Sequence, residues 1–130
     1  MTGLRILVID DNRDGGDMLA VLLRQLGHHS LASYDADTGL AVAKGFKPQL
    51  ILLDLAMPKK SGFDLLPELR NGAGFGDTPI IAVSGYVDAA HRKAANEAAF
   101  DGFLAKPFTL EELKNVLRPF TEADPDDPRR

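Results

Sequence analysis

Asp10, Asp11, Asp54, Ser84 and Lys106 are chemically competent side chains that share one sequence context. Each ends a short apolar run: Leu4–Ile9 stops at Asp10-Asp11, Leu50–Leu53 at Asp54, Ile80–Val83 at Ser84, and Phe103–Ala105 at Lys106. If the runs are neighbours in one sheet, three carboxylates, a hydroxyl and an ammonium converge on a single edge. Like charges that close repel, so the aspartates need a cation or raised pKa values. With oxygen donors and no His or Cys beside them, the hard cation Mg²⁺ (or Mn²⁺) suits them, and Mg²⁺ keeps several waters and takes one or two carboxylates plus phosphate oxygens. The chemistry implied is phosphoryl transfer. Lys106 and Ser84 offer a positive charge and a hydrogen-bond donor to phosphoryl oxygens. One carboxylate can act as the nucleophile and become an aspartyl phosphate. Asp54 fits that role because its strand is expected to be central, between those of Asp10-Asp11 and Ser84.

Taken singly, each piece also has a bland reading. Asp10-Asp11 could be a helix cap with solvated charge, Asp54 a turn residue, and Ser84-Gly85 an ordinary loop start. Lys106-Pro107 is the most pointed fragment, since lysine seldom stands between a buried strand and a proline. The coincidence of all four at strand ends is what argues for a site.

The runs are too short for helices and unbroken by polar residues, the pattern of strands buried on both faces. In an open parallel sheet, ligands bind outside the carboxyl ends of the strands. Between the runs lie segments of helical period, and that alternation predicts a βαβ fold. Met18, Leu19, Leu22, Leu23 and Leu26 form a first helix face, stopped at Gly27. His29–Ala32 is a weak second strand. Asp35 or Asp37 opens a second helix that ends near Gly45 and Pro48. Ser61 caps a third, carrying Phe63, Leu65, Leu66 and Leu69, with a kink or early stop expected at Pro67. Asp88 opens an alanine-rich fourth helix to about Ala99. Gly102–Ala105 is the fifth strand, and Thr109 with Glu112 makes a capping box for a last helix from Leu110 to about Leu117. Five strands and five helices in strict alternation predict a three-layer α/β sandwich.

The bulk composition agrees. The chain has 130 residues, 45% hydrophobic and 26% charged, and carries a formal net charge of −4. That is enough for one domain with a real core, and the acidic balance argues against direct nucleic-acid binding. No run approaches a membrane span, and the N-terminus MTGLRILVID lacks the pattern of a secretory signal. With no cysteine there are no disulfides and no thiol chemistry, which fits a cytoplasmic location. The polar segment 121–130, with Pro125 and Pro128, reads as a flexible tail after a domain of residues 1–120.

These residues carry a family resemblance. ILVIDDN (6–12), LILLDLAMPKKSGFDLL (50–66), TPIIAVSGY (78–86) and FDGFLAKPF (100–108) resemble, in order and spacing, the receiver domain of two-component response regulators, the CheY-like fold. The resemblance covers about Leu4 to Leu117 and implies a doubly wound, flavodoxin-like five-stranded parallel sheet of order 2-1-3-4-5. It further implies that Asp54 is the phosphoacceptor, served by a phosphohistidine on a histidine kinase or histidine phosphotransfer protein. Asp11 would bind Mg²⁺ directly, Asp10 largely through water, and Asp54 and the backbone carbonyl of Ala56 would complete the protein ligands. Lys106 would pair with Asp54 and later with the phosphoryl group, while Ser84 would move to hydrogen-bond it. Phe103 matches the switch aromatic that turns inward, and the Lys106–Pro107 peptide would be cis. Phe103 could equally be a packed strand residue, and Phe108 reads as core or interface packing.

Departures from the commonest pattern are small Ala56 and large Tyr86, which flank the approach of water to the phosphoryl group, and Phe103, which lacks a tyrosine hydroxyl. Gly15-Gly16 and Pro67 have no explanation at this level. The implied function is a phosphorylation switch whose last two helices and fifth strand are read by a downstream protein, as a monomer or weak phosphorylation-dependent dimer. It would be no enzyme beyond its own phosphotransfer and autodephosphorylation. The length leaves no room for an output domain, so the chain reads as a single-domain regulator or a piece of a larger protein such as a hybrid kinase. The alternatives are a docking receiver that is not phosphorylated, and a haloacid-dehalogenase-like phosphatase. Against the phosphatase, the position after Asp11 is Asn12 where that family resembles an Asp-x-Asp, and Lys106 comes last.

Overall fold

The computed structural model describes residues 3–57, 59–72, 74–85, 93 and 100–121. Strands β1 (Arg5–Ile9), β2 (His29–Ser33), β3 (Leu50–Asp54), β4 (Ile80–Ser84) and β5 (Gly102–Ala105) form one sheet of order β2-β1-β3-β4-β5. Every neighbouring pair is parallel. The flavodoxin-like order is therefore present. Apart from Lys93, the alanine-rich fourth helix expected over 88–99 lies outside the described residues, as does Tyr86.

Alternation along the strands separates two hydrophobic layers. Ile6, Val8, Leu50 and Leu52 face α1 (Arg13–Gln25) and α4 (Leu110–Thr121), packing with Leu19, Leu23, Leu113 and Leu117. Leu7, Ile9, Ile51 and Leu53 face α2 (Ala36–Phe46) and α3 (Gly62–Pro67), packing with Ala43, Leu65 and Leu66. Helices on both faces bury β3 and β4 completely, which is why those strands read as unbroken apolar runs.

Caps set the helix starts. Asn12, Asp35 and Ser61 accept from the amides of Gly15, Thr38 and Asp64, so Asp35, and not Asp37, opens α2. Thr109 and Glu112 form the reciprocal capping box, at 3.0 and 3.1 Å. Gly27, at φ +96°, follows the last turn of α1, while α2 ends on Lys47 in the left-handed region at φ 54°.

Some limits move. β1 begins at Arg5, β2 extends to Ser33 and β4 to Ser84. Pro67 ends α3 as anticipated, yet the chain continues as a π-helical turn over Glu68–Gly72. Proline cannot bond the carbonyl of the preceding turn, and the wider turn keeps Leu69 buried beside Leu65 and Leu66. The last helix runs past Leu117 and through Pro119 to Thr121, with Phe120 packed against the core.

Candidate functional site

Sheet order creates the site. β1 and β3 are neighbours, but the connections that leave them pass to opposite faces, through α1 and α3. A crevice opens at such a switch point. Register fills it: Ile9 is opposite Leu53, so Asp10 and Asp54 leave adjacent strands side by side. Asp54 is opposite Val83 and Ser84 is opposite Ala105, which brings Ser84 and Lys106 to the same edge. The Lys106 amide donates to the Ser84 carbonyl at 2.8 Å.

Asp10, Asp11 and Asp54 each offer a carboxylate oxygen, and these lie within 4.8 Å of one another. Asp10 and Asp54 are 2% and 6% exposed, while Asp11 is open to solvent. The Asn12 amide donates to Asp10 at 2.9 Å and the Ala56 amide to Asp54 at 3.1 Å. Lys106 Nζ donates to Asp10 Oδ2 at 2.7 Å and stands 3.9 Å from Asp54 Oδ2. Its tighter partner is thus Asp10, where the resemblance implied Asp54; the ammonium lies between both carboxylates. Burial, aided by the hydrogen bond and charge of Asp10, pushes the Asp54 carboxyl up to about 7, against the Ala56 amide and Lys106. A donor set of hard oxygens whose own repulsion favours a proton is one that a divalent cation fits.

Ser84 is fully buried at the end of β4. Phe103 is half-buried and packs against Leu55 and Ala82, beside Phe63 and Phe100, whose rings meet edge-on at 5.8 Å. Phe108 packs against the core cluster, and the Lys106–Pro107 peptide is cis. Ala56 is exposed.

Two supports escaped the sequence reading. Asn12 both caps α1 and fixes Asp10 through its amide; a polar residue just before a helical period is the signal that could have shown the cap. Tyr34 ties β2 to α1, its hydroxyl donating to Asp17 while the Arg13 guanidinium lies 4.1 Å from the ring centroid. Only tertiary proximity reveals that pair. Gly15 and Gly16 gain a partial account. A Cβ on either would meet its nearest atoms at 3.6 and 3.5 Å, ordinary contact, so close approach does not demand glycine there.

Residues 6–118 match the family described as response regulator receiver domain. The DNA-binding response regulator MtrA of Mycobacterium tuberculosis is 31% identical over 124 residues, 95% of this chain and 53% of that protein. The chain spans about half the length of the curated relatives it matches. Among solved structures, chemotaxis protein CheY4 of Vibrio cholerae superposes with a TM-score of 0.83 at 24% identity, covering 92% of this chain and 98% of that one, a likeness of fold. The receiver domain of sensor histidine kinase PA1611 from Pseudomonas aeruginosa, with a magnesium ion coordinated in its active site cleft, gives 0.80 at 27% identity, covering 91% and 97%.

Proposed function

The chain belongs to the response regulator receiver domain family of two-component signalling, and from that premise we propose that it is a switch worked by phosphorylation of Asp54. The observation that carries the proposal is the cluster of three carboxylates within 4.8 Å, bridged by the Lys106 ammonium at 2.7 and 3.9 Å from two of them. The donor is a phosphohistidine on a histidine kinase or histidine phosphotransfer protein. An Asp54 oxygen forms the new P–O bond as the P–N bond breaks, and the electron pair leaves with the imidazole.

Asp10, Asp11, Asp54 and the Ala56 carbonyl would hold a Mg²⁺ (or Mn²⁺) ion, which supplies charge neutralisation to the phosphoryl oxygens when bound. Lys106 stands between Asp10 and Asp54, offsetting one of their two negative charges, and offers its ammonium to the product. Ser84 supplies a hydroxyl at the same edge. A phosphoryl group brings up to about two negative charges and three acceptor oxygens, and Ser84 and Lys106 are the groups placed to answer it. Phe103, half-buried against Leu55 and Ala82, carries the change to the outer face of β5 and α4. A downstream protein that binds the two states unequally reads it. The domain comprises residues 1–120.

The test is incubation with a phosphohistidine donor or a small acyl phosphate plus Mg²⁺, followed by intact mass. The wild type gains one phosphoryl group and Asp54→Ala gains none. No gain in the wild type supports a docking receiver instead, and an equal gain in Asp54→Ala overturns the assignment of the acceptor.

A further inference from the structure

The amino-terminal edge of the sheet, opposite the acidic cluster, holds a titratable group that phosphoryl chemistry leaves unused. His28 stands where α1 turns into β2 and is 7% exposed. Its Nδ1 accepts the Leu4 backbone N–H at 3.0 Å. Its own amide donates to the Leu23 carbonyl at 3.0 Å, and the next residue, His29, donates to the Leu4 carbonyl at 2.9 Å. Both main-chain polar groups of Leu4 are therefore held by residues 28 and 29. Gly3 runs so close to this turn that a Cβ on it would lie 1.9 Å from the Gly27 carbonyl oxygen and 2.9 Å from His28 Cα. Absence of a side chain lets the lead of β1 lie flat on the turn.

We propose that His28 is an acid-sensitive latch that fastens the lead of β1 to the α1–β2 turn. The ring nitrogen that accepts from Leu4 can do so only without a proton. When solvent delivers one to the Nδ1 lone pair, the ring becomes an imidazolium with N–H on both nitrogens. N–H then faces N–H in a buried spot, and both the Leu4 donor and the new ring donor are left unmatched. Charged neighbours offer no rescue. His29 adjoins on β2 and opposes a second positive charge. The guanidinium of Arg24 on α1 donates to the Ser30 carbonyl at 3.1 Å, and Nε of Arg5 on β1 to the Lys47 carbonyl at 2.9 Å. Among the described residues no carboxylate pairs with His28.

Burial, and then His29, hold the imidazole below its usual value of 6.5. The sign follows. Above that pH, folded and unfolded chains are both neutral here and the latch contributes fully. As pH falls below it, the unfolded chain takes a proton that the folded one resists, so stability drops until the folded ring also titrates.

His28→Asn tests this, since the side-chain oxygen of Asn can stand in for Nδ1 as an acceptor that does not titrate. In urea unfolding between pH 7.5 and 5, the folding constant of the wild type falls relative to that of the variant by up to about tenfold per pH unit. Parallel curves overturn the latch. A second measurement needs no variant: by NMR on the wild type, His28 titrates below its ordinary midpoint and the Leu4 amide loses exchange protection in step with it. An ordinary midpoint, or Leu4 protection indifferent to the titration, also overturns it. Both proteins accept a phosphoryl group alike at pH 7.5, because His28 lies at the far end of β1 from Asp10.

Discussion

Asp54 is held by opposing influences. Burial and the neighbouring Asp10 favour its protonated form, while the Ala56 amide and Lys106 favour the anion. The first pair prevails, so the metal-free fold stores repulsion at Asp54, the proposed phosphoacceptor. A carboxyl whose folded pKa is raised contributes stability below its unfolded value, near 3.8, and loses that contribution as pH rises through about 7. Asp54→Asn, a fixed neutral analogue, therefore stabilises the metal-free protein at pH 8 by about 1–2 kcal/mol once solvent screening is allowed for, and the gain fades toward pH 5. Urea midpoints with a chelator present measure it; a variant no more stable than wild type at pH 8 refutes the charge balance described. Which lysine partner is tighter could not be read from residue types. Lys106, Asp10 and Asp54 come from three different strand ends, and the 2.7 and 3.9 Å separations depend on sheet twist and rotamers.

Backbone approach, more than side-chain chemistry, governs the elements around the site. The loop after β3 returns so closely that a Cβ on Gly62 would lie 2.6 Å from the Asp54 carbonyl oxygen and 3.1 Å from Leu55 Cα. Gly62→Ala must move main chain, costing about 1–3 kcal/mol and displacing the strand end that carries Asp54. Gly16→Ala meets only contacts of 3.5 Å or more and removes a helix-interior glycine, so it is neutral or stabilising by up to about 1 kcal/mol. Thermal melts of the two variants, paired with the phosphoryl-gain assay, separate these outcomes; equal melting temperatures contradict the packing. The sequence marks both positions simply as glycine. It signals the starts at Ser61 and Thr109 well, because a cap is a contact across three residues. It signals the turn after Pro67 poorly, because widening to a π-turn depends on how Leu65, Leu66 and Leu69 pack against β3 and β4.

At the scale of the whole molecule, two apolar layers sandwich a sheet whose carboxyl edge is acidic and whose amino edge is fastened through Leu4 and His28. The last core contacts of α4 come from Leu117 and Phe120. A chain ending after Thr121 accordingly keeps the melting temperature and phosphoryl acceptance of the full sequence, and a clear drop in either would extend the domain beyond 120. Sequence alone marked where the apolar runs stop, and with them the candidate residues Asp10, Asp11, Asp54, Ser84 and Lys106. A strand buried on both faces must be apolar throughout, so the first polar residue after it is conspicuous. It also marked the helix starts at Ser61 and Thr109, which rest on neighbours a few residues apart. Tertiary structure alone decided what those groups touch. That Lys106 grips Asp10, that Tyr34 braces Arg13 and Asp17, and that His28 secures Leu4 are contacts between residues 17 to 96 positions apart. Such contacts arise where twist and register bring separate elements together, and no local pattern encodes them.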